Sequence, residues 1–439
     1  MKLILHLFLF QLAGAVYAQA PALAPINLRD MPVAAPATVE GVPAFAQALD
    51  SWRSRLRAAG LDPQETDRVY EMASLIRSKY IKRIDEDTLL RNAYEGAMSG
   101  KVPGSRLYSA LKGMAGDIDP YTEFMTPSEY KRYVAYYEGT TASNGFLFAD
   151  KDKDGPLKVL EVYPNGPADR AGLKSGDEVI GIEGRSVIGL TGTELDRLYP
   201  EGGAGTITRF RVRRGSAEYN VTLARAEIAM ADIYCAMLSR TAGYIQIRGF
   251  HNETDSHLKN ALAYLKGKGM TQLVVDLRDN PGGRIGSTVR AASVFLSRGK
   301  TVVQIIEGQD KSVATVEKDG GFADLPMAVL VDEYSASASE LFAAAMQDNG
   351  RASLIGSRTF GKGIGQDTTT FDDKSALKLT ALKWLTPSGT DIHGRGLDPD
   401  TAVRTSAADK IKIQRRLYRQ ITAQDTDEEM DPVLRAAFR

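Results

Sequence analysis

Residues 329–366 read VLVDEYSASASELFAAAMQDNGRASLIGSRTFGKGIGQ, in which an apolar run leads through a serine-rich turn into an alanine-rich helical pattern. A strand that turns sharply into a helix projects the side chain at the turn into a cleft. The first N–H groups of the helix, with the positive end of its dipole, lie beside any oxyanion formed there. The pattern therefore predicts a serine nucleophile at a strand-to-helix turn.

Two alternatives stay open at this turn. Ser337, with Glu340 three residues later, also matches a capping box, in which the serine oxygen only satisfies a helix N–H group. Residue types and spacing do not choose between Ser337 and Ser339 as the nucleophile.

Lys362 lies among the glycines Gly361, Gly363 and Gly365, a backbone freedom that a solvated lysine does not need. Gln366, four residues on, falls on the same side of a strand or helix and is placed to hydrogen-bond the lysine nitrogen. To deprotonate a serine the lysine must be neutral, so burial has to lower its pKa from about 10.4 by about 3, at roughly 4 kcal/mol. We therefore interpret Lys362 as a candidate general base.

The segment VDLRDNPGG, residues 275–283, begins at the end of an apolar run and finishes in a glycine turn. Paired glycines let backbone N–H groups approach a substrate carbonyl closely. Taken alone, this segment is typical of an ordinary βα turn. Taken with the serine and the lysine, Gly282 and Gly283 form a candidate oxyanion hole shared with the N–H group of Ala338.

Histidine and metal chemistry find little support in the sequence. His251, His257 and His393 lie in no motif that suggests a base, and we interpret each as a surface or turn residue. The single cysteine, Cys235, and the scattered histidines show no metal-ligand spacing. We expect no metal and no cofactor.

The 439 residues are enough for two or three domains, and Lys plus Arg equals Asp plus Glu at 55 each. This balance argues against nucleic acid as a partner. At the N-terminus, the apolar run Leu3–Val16 followed by Ala18-Gln19-Ala20 is typical of a signal peptide, because about 14 apolar residues are fewer than the roughly 20 that span a bilayer. We expect an exported, periplasmic or otherwise extracytoplasmic protein, with membrane association left open.

Periodicity changes twice along the chain. Helical patterns dominate residues 46–98, short β-type runs fill 140–228, and strand and helix patterns alternate from residue 244. This order predicts a multidomain α/β protein in which helices cover the later sheet.

The string PNGPADRAGLKSGDEVIGIEG, residues 164–184, resembles the PDZ family. The resemblance implies a small barrel that adds an extended peptide, commonly a C-terminus, to a sheet edge. It places the peptide-binding loop at Gly145, Phe146, Leu147 and Phe148. Gly145 is the only glycine of the segment 143–148, whereas PDZ domains of peptidases usually carry closely spaced glycines there.

The PDZ string, the segment 276–283, SASASE at 335–340 and GKGxxQ at 361–366 follow one another in the order found in the C-terminal processing peptidases, the tail-specific serine proteases of family S41. The sequence resembles this family from about Val69 to the C-terminus. The resemblance implies that Ser337 is the nucleophile, Lys362 the base and Gln366 its positioning partner. It also implies a strand-helix peptidase core of the ClpP/crotonase type.

These features predict an endopeptidase that cuts protein or peptide substrates at or near their C-termini, with access controlled by the PDZ domain. An activating partner protein and the oligomeric state stay open. The alternatives are a PDZ-containing tethering protein without catalysis and a related fold that binds acyl-CoA. The expected domains are a signal peptide (1–20), a flexible lead-in (21–45), a helical N-terminal domain (46–135), a PDZ domain (136–228), a serine peptidase core (229–403) and a C-terminal helical segment (404–439).

Overall fold

The computed structural model describes residues 43–406, apart from 149–154, 164, 191–193, 196, 197, 200 and 201, together with 409, 413 and 432–437. The predicted signal peptide, nearly all of the lead-in and most of the C-terminal segment lie outside the described residues. Two compact units are present, a larger one of residues 127–365 and 382 onwards, and a smaller one of residues up to 126 with 366–381. No helix among the described residues has both the length and the apolar character needed to cross a membrane.

The mixture of elements confirms the predicted multidomain α/β fold with a helical N-terminal region. The helices are α1 (Pro43–Ala58), α2 (Pro63–Lys79), α3 (Glu86–Ser99), α4 (Arg106–Gly116), α5 (Pro127–Tyr137), α6 (Pro167–Arg170), α7 (Thr254–Gly267), α8 (Ile285–Ser293), α9 (Ala338–Asp348) and α10 (Pro432–Ala436). The strands are β1 (Glu123–Met125), β2 (Thr140–Ser143), β3 (Phe146–Phe148), β4 (Leu157–Val162), β5 (Glu178–Ile182), β6 (Arg185–Ser186), β7 (Ile207–Arg214), β8 (Ala217–Ala224), β9 (Ala226–Ala229), β10 (Ile233–Met237), β11 (Ala242–Ile247), β12 (Gln272–Asp276), β13 (Thr301–Glu307), β14 (Asp310–Thr315), β15 (Met327–Val331), β16 (Ser353–Gly356), β17 (Ile364–Thr370), β18 (Ala376–Leu385) and β19 (Thr401–Ala402).

The smaller unit packs α1 to α4 around one apolar core that a distant part of the chain completes. Apolar residues recur on the inner face of each helix, and Asp62 caps α2 through a full capping box with Glu65. The strand β1 pairs antiparallel with the first half of β18. Phe371, Leu377 and Leu379 enter the helical core from this second segment. These three residues lie within the range 229–403 that the sequence predicts as the serine peptidase core, and their side chains are buried among the helices.

The PDZ region of the larger unit is a small antiparallel sheet with the order β3, β4, β5, β7, β8. Strand β7 alternates exposed and buried residues, as expected for a sheet with one face on the core. Phe146, Val179 and Phe210 are buried in that core. The strands β2 and β9, which precede and follow this region, pair with each other.

The predicted peptidase core is built on a sheet with the order β10, β11, β12, β15, β16, β19, parallel except for the antiparallel pair at β10. Helices α7, α8 and α9 contribute to the apolar core that covers it. Val275 of β12 lies beside Val329 of β15. Because these strands are parallel neighbours, the glycine turn after β12 and the serine turn after β15 emerge at the same edge of the sheet, where open α/β sheets place their ligands.

Candidate active site

The three serines of the turn after β15 have different surroundings. The hydroxyl of Ser335 donates to the carbonyl oxygen of Leu277 at 2.8 Å, and that of Ser339 donates to the carbonyl oxygen of Asn280 at 2.9 Å. Both serines are fully buried, whereas Ser337 is half-buried. The hydroxyls of Ser335 and Ser339 thus hydrogen-bond within the fold, and Ser337 is the serine of this turn that is accessible to solvent.

Ser337 also has an unusual backbone, with φ 57° and ψ −116° immediately before α9. A residue with a side chain rarely adopts a positive φ, and such a conformation costs about 1 to 3 kcal/mol. The strand-to-helix turn after β15 is therefore sharp, as the sequence predicts, and the strain is located at the candidate nucleophile.

Glu340 is the residue that sequence reasoning underestimated. Its carboxylate accepts the N–H group of Ser337 at 2.8 Å, which accounts for the capping-box spacing. It also accepts the N–H groups of Gly361 at 2.6 Å and Lys362 at 2.8 Å, and the hydroxyl of Thr359 at 2.6 Å. Burial raises the pKa of Glu340, and these hydrogen bonds oppose the increase. The spacing of Ser337 and Glu340 indicated the cap, but no local signal indicated the contacts about 20 residues later.

Lys362 lies in the segment just before β17, and its side chain is half-buried. A Cβ atom on Gly361 would lie 2.8 Å from the backbone nitrogen of Gly396, and one on Gly363 would lie 3.0 Å from that of His393. The glycines around the lysine therefore allow close backbone contact with the segment 393–396. Gln366 belongs to the smaller unit, where its side-chain amide donates to the Thr380 hydroxyl at 3.4 Å.

The glycine turn after β12 lies directly against the serine turn. A Cβ atom on Gly282 would lie 2.7 Å from the backbone nitrogen of Ala338 and 3.0 Å from the Cβ atom of Ser337. One on Gly283 would lie 2.2 Å from the carbonyl oxygen of Phe250, with which Gly283 forms an isolated β-bridge. Only glycine fits at either position.

The three predicted oxyanion donors differ in availability. The N–H group of Gly282 donates to the Oδ1 atom of Asn280 at 2.8 Å. Within the part of the chain that the structure describes, the N–H groups of Gly283 and Ala338 have no acceptor. Gly282 thus supplies the close approach of the two turns, and the other two residues supply N–H groups free for a ligand. Asn280, buried and bonded to Ile247, holds the glycine turn in place.

His251 lies at a turn, as the sequence predicts, and is only 6% exposed. Burial lowers the pKa of His251, and its ring packs edge-on against Tyr136 of α5 at 5.0 Å. His257 bonds Asp232 at 2.7 Å, which raises the pKa of His257.

Helix α5 contacts residues 251 and 252, which follow the Phe250 that pairs with Gly283. The N–H group of Asn252 donates to the carbonyl oxygen of Tyr137 at 3.1 Å, and the guanidinium of Arg284 lies 4.9 Å from the centre of the Tyr137 ring. Arg284 directly follows Gly283 and donates its N–H group to Phe250 at 2.8 Å. The end of α5 is thus in contact with the backbone beside the candidate oxyanion hole.

The predicted PDZ peptide loop, residues 145–148, combines a glycine of positive φ with buried aromatic and aliphatic side chains. Gly145 has φ 87° and donates its N–H group to the Ser143 hydroxyl at 3.0 Å. Phe146 and Leu147 are buried, and Phe146 packs edge-on against Phe148 at 4.9 Å. Among the described strands, β3 pairs only with β4.

Two family models match the chain, that of peptidase family S41 over residues 241–403 and that of the PDZ domain over residues 158–214. The chain is 34% identical over 338 residues to a "probable CtpA-like serine protease" of Staphylococcus haemolyticus strain JCSC1435, covering 76% of this chain and 66% of that protein. It is 32% identical over 357 residues to the protein of the same name from Staphylococcus aureus strain COL, covering 80% of this chain and 67% of the relative. The chain belongs to peptidase family S41.

This membership confirms the predicted family, the serine peptidase type and the PDZ domain. The chain spans about two thirds of the length of these S41 relatives. Its fold is also similar to a solved structure from Bacteroides fragilis NCTC 9343 that is assigned to the S41 proteases, with a TM-score of 0.54 and 15% identity over 83% of this chain and 95% of that one.

Proposed function

We propose that this S41 member is an exported serine endopeptidase that cleaves proteins at or near their C-termini through Ser337 and Lys362. The proposal rests on the exposure and position of Ser337. It is the half-buried serine of its turn and lies at the carboxyl edge of the parallel sheet, where the N–H groups of Gly283 and Ala338 have no acceptor among the described residues.

In the proposed reaction, neutral Lys362 takes the proton of the Ser337 hydroxyl, and the Oγ atom of Ser337 attacks a peptide carbonyl carbon. The N–H groups of Gly283 and Ala338 hold the negative oxygen, and α9 directs its positive end toward the same place. The proton then passes from the lysine to the leaving amine, and an acyl-enzyme forms. Water hydrolyses this ester with the lysine again acting as base.

The preference for C-termini rests on the PDZ region. Among the described strands β3 has a partner on one edge, and we propose that an extended peptide joins the sheet at the other, with main-chain hydrogen bonds supplying affinity. A substrate held there by its tail delivers the preceding residues to the serine turn. Gln366 is proposed to position the Lys362 side chain, and export is proposed from the N-terminal segment of the sequence.

Labelling with a biotinylated fluorophosphonate tests the proposal. Wild type should be labelled at Ser337 and should cut an unstructured peptide, whereas Ser337→Ala and Lys362→Ala should do neither while keeping the circular dichroism spectrum of wild type. Ser339→Ala serves as the comparison serine, because its hydroxyl is buried on Asn280. Wild type that resists the label and leaves peptides intact, yet binds their C-termini, would instead support the tethering protein.

A further inference from the structure

We infer that Glu340, as a carboxylate, is a positioning residue that fixes the backbone of the nucleophile to the backbone of the base. The inference rests on the proposed function, since it assigns Ser337 and Lys362 the roles given above. Glu340 itself touches neither substrate nor reacting atoms in this assignment.

The bonding of the carboxylate supports the inference. Its Oε2 atom accepts both the Ser337 and the Lys362 N–H groups, each at 2.8 Å. The two backbone nitrogens are therefore no more than twice that distance apart. The Phe360 N–H group also donates to the carbonyl oxygen of Ser335 at 3.1 Å, so Glu340 adds to a backbone link between the two segments and ties Ser337 itself to Lys362.

The second oxygen extends the link along the lysine segment. Oε1 accepts the Gly361 N–H group and the Thr359 hydroxyl, each at 2.6 Å. The Thr359 oxygen in turn accepts the N–H group of Leu397 at 2.7 Å, so its own hydrogen is directed at Glu340. All partners of the carboxylate are thus donors, and a neutral acid or an amide would direct a hydrogen at one of them.

Burial shows that this arrangement exceeds the needs of a helix cap. Glu340 is 0% exposed, and removing a carboxylate from water costs several kcal/mol. A capping residue satisfies one or two N–H groups at the start of its own helix, usually at the surface. Here most of the bonds go to residues 359–362, and N–H groups together with the start of α9 stabilise the charge.

Replacement of Glu340 by glutamine or aspartate should disturb the link between the two segments. Glutamine keeps the size of the side chain but has one acceptor oxygen and one NH₂ group. Because each oxygen of Glu340 accepts two hydrogen bonds, the NH₂ group would point its hydrogens at two donors. Aspartate keeps the charge but is one methylene too short to reach both segments. Displacement of catalytic groups by about 1 Å costs on the order of 100-fold in rate.

The experiment compares full-length wild type, Glu340→Gln and Glu340→Asp by peptide cleavage and by the rate of fluorophosphonate labelling. We expect kcat and the labelling rate to fall about 100-fold in both variants, with KM within about threefold of wild type, because the substrate-binding surface is unchanged. Glu333→Gln is the matched control, since it is a half-buried carboxylate in the same turn that accepts the Ser357 hydroxyl instead. It should keep wild-type kcat.

Thr359 gives a second test that does not depend on the folding of the Glu340 variants. Thr359→Ser keeps the hydroxyl donor and should keep kcat, whereas Thr359→Val removes it and should lower kcat about tenfold at unchanged KM. A folded Glu340→Gln enzyme with kcat within threefold of wild type, or an unimpaired Thr359→Val enzyme, overturns the role of Glu340 alone. Wild type that neither cleaves nor is labelled overturns the proposed function, and the inference with it.

Discussion

The backbone N–H groups of Ser337 and Lys362 donate to the same oxygen atom, Oε2 of Glu340, each at 2.8 Å. Glu340, three residues after the serine, thus joins the backbone of the serine turn to that of the lysine segment, alongside the hydrogen bond from the Phe360 N–H group to the carbonyl oxygen of Ser335 at 3.1 Å. The relationship connects the sharp turn after β15 with the glycine-rich segment before β17, although these lie about 25 residues apart in the chain.

The backbone of Ser337 leads to a prediction about stability. Its φ of 57° and ψ of −116° resemble the first central position of a type II′ turn, which glycine favours. Ser337→Gly should therefore be about 1 kcal/mol more stable than Ser337→Ala, while both lack peptidase activity. Chemical denaturation of the two variants measures the difference. Equal stability would mean that the conformation at residue 337 carries no strain.

The contact between the two turns predicts a large effect of one methyl group. Gly282→Ala places a Cβ atom 2.7 Å from the Ala338 nitrogen, so the turns must separate. We expect kcat to fall by roughly 100-fold. Gly286→Ala is the control, since its Cβ atom meets only the end of the Arg290 side chain, at 3.8 Å. Steady-state kinetics of both variants test this, and similar values for the two would contradict it.

The contact of α5 with the glycine turn predicts an effect on catalysis from outside the site. Tyr137→Leu removes the ring that faces Arg284, whereas Tyr137→Phe keeps it. A cation–π contact contributes about 0.5 to 2 kcal/mol, so kcat should fall roughly 3- to 30-fold in the leucine variant and little in the phenylalanine variant. If both variants match wild type in kcat, α5 does not support the oxyanion hole.

Asp332, in the turn before Ser335, predicts a pH dependence of stability. Burial raises the pKa of Asp332 to about 6, above its ordinary value of 3.8. Because the folded state binds this proton more tightly than the unfolded state, the group contributes most stability below pH 3.8 and loses that contribution as the pH rises through about 6.

The measurement is the free energy of unfolding of wild type and Asp332→Asn at pH 4 and pH 7.5. Relative to the asparagine variant, wild type should lose up to about 3 kcal/mol between these values. The variant retains an oxygen that can accept the Tyr334 and Ser335 N–H groups. A difference that does not change with pH would show that Asp332 titrates normally.

Sequence patterns indicated the main parts of the candidate site because each has a local physical signature. The apolar run before SASASE indicated a strand, the alanines after it indicated a helix, and paired glycines after VDLRDN indicated a tight turn. Residue types did not choose among Ser335, Ser337 and Ser339, since the three hydroxyls differ only in their distant partners. The structure shows those partners as Leu277 for the first and Asn280 for the last.

Other features depend on contacts that no local pattern contains. Glu340 fits a capping box in sequence, and only the fold brings Thr359 and Gly361 to its second oxygen. His251 reads as a turn residue, and it is buried because α5 packs on it. Residues 366–381 follow the lysine directly but pack in the helical core, where Phe371 and Leu377 are buried.

This last feature has a consequence for the order in which a ribosome produces the protein. Helices α1 to α4 are made first, yet Phe371, Leu377 and Leu379 complete their core only after the codons for Ser337 and Lys362 have been translated. A nascent chain that stops before residue 371 lacks these three side chains and leaves the apolar face of its first helices incomplete. The core of the helical unit can therefore close only after the serine turn and the lysine segment have been made.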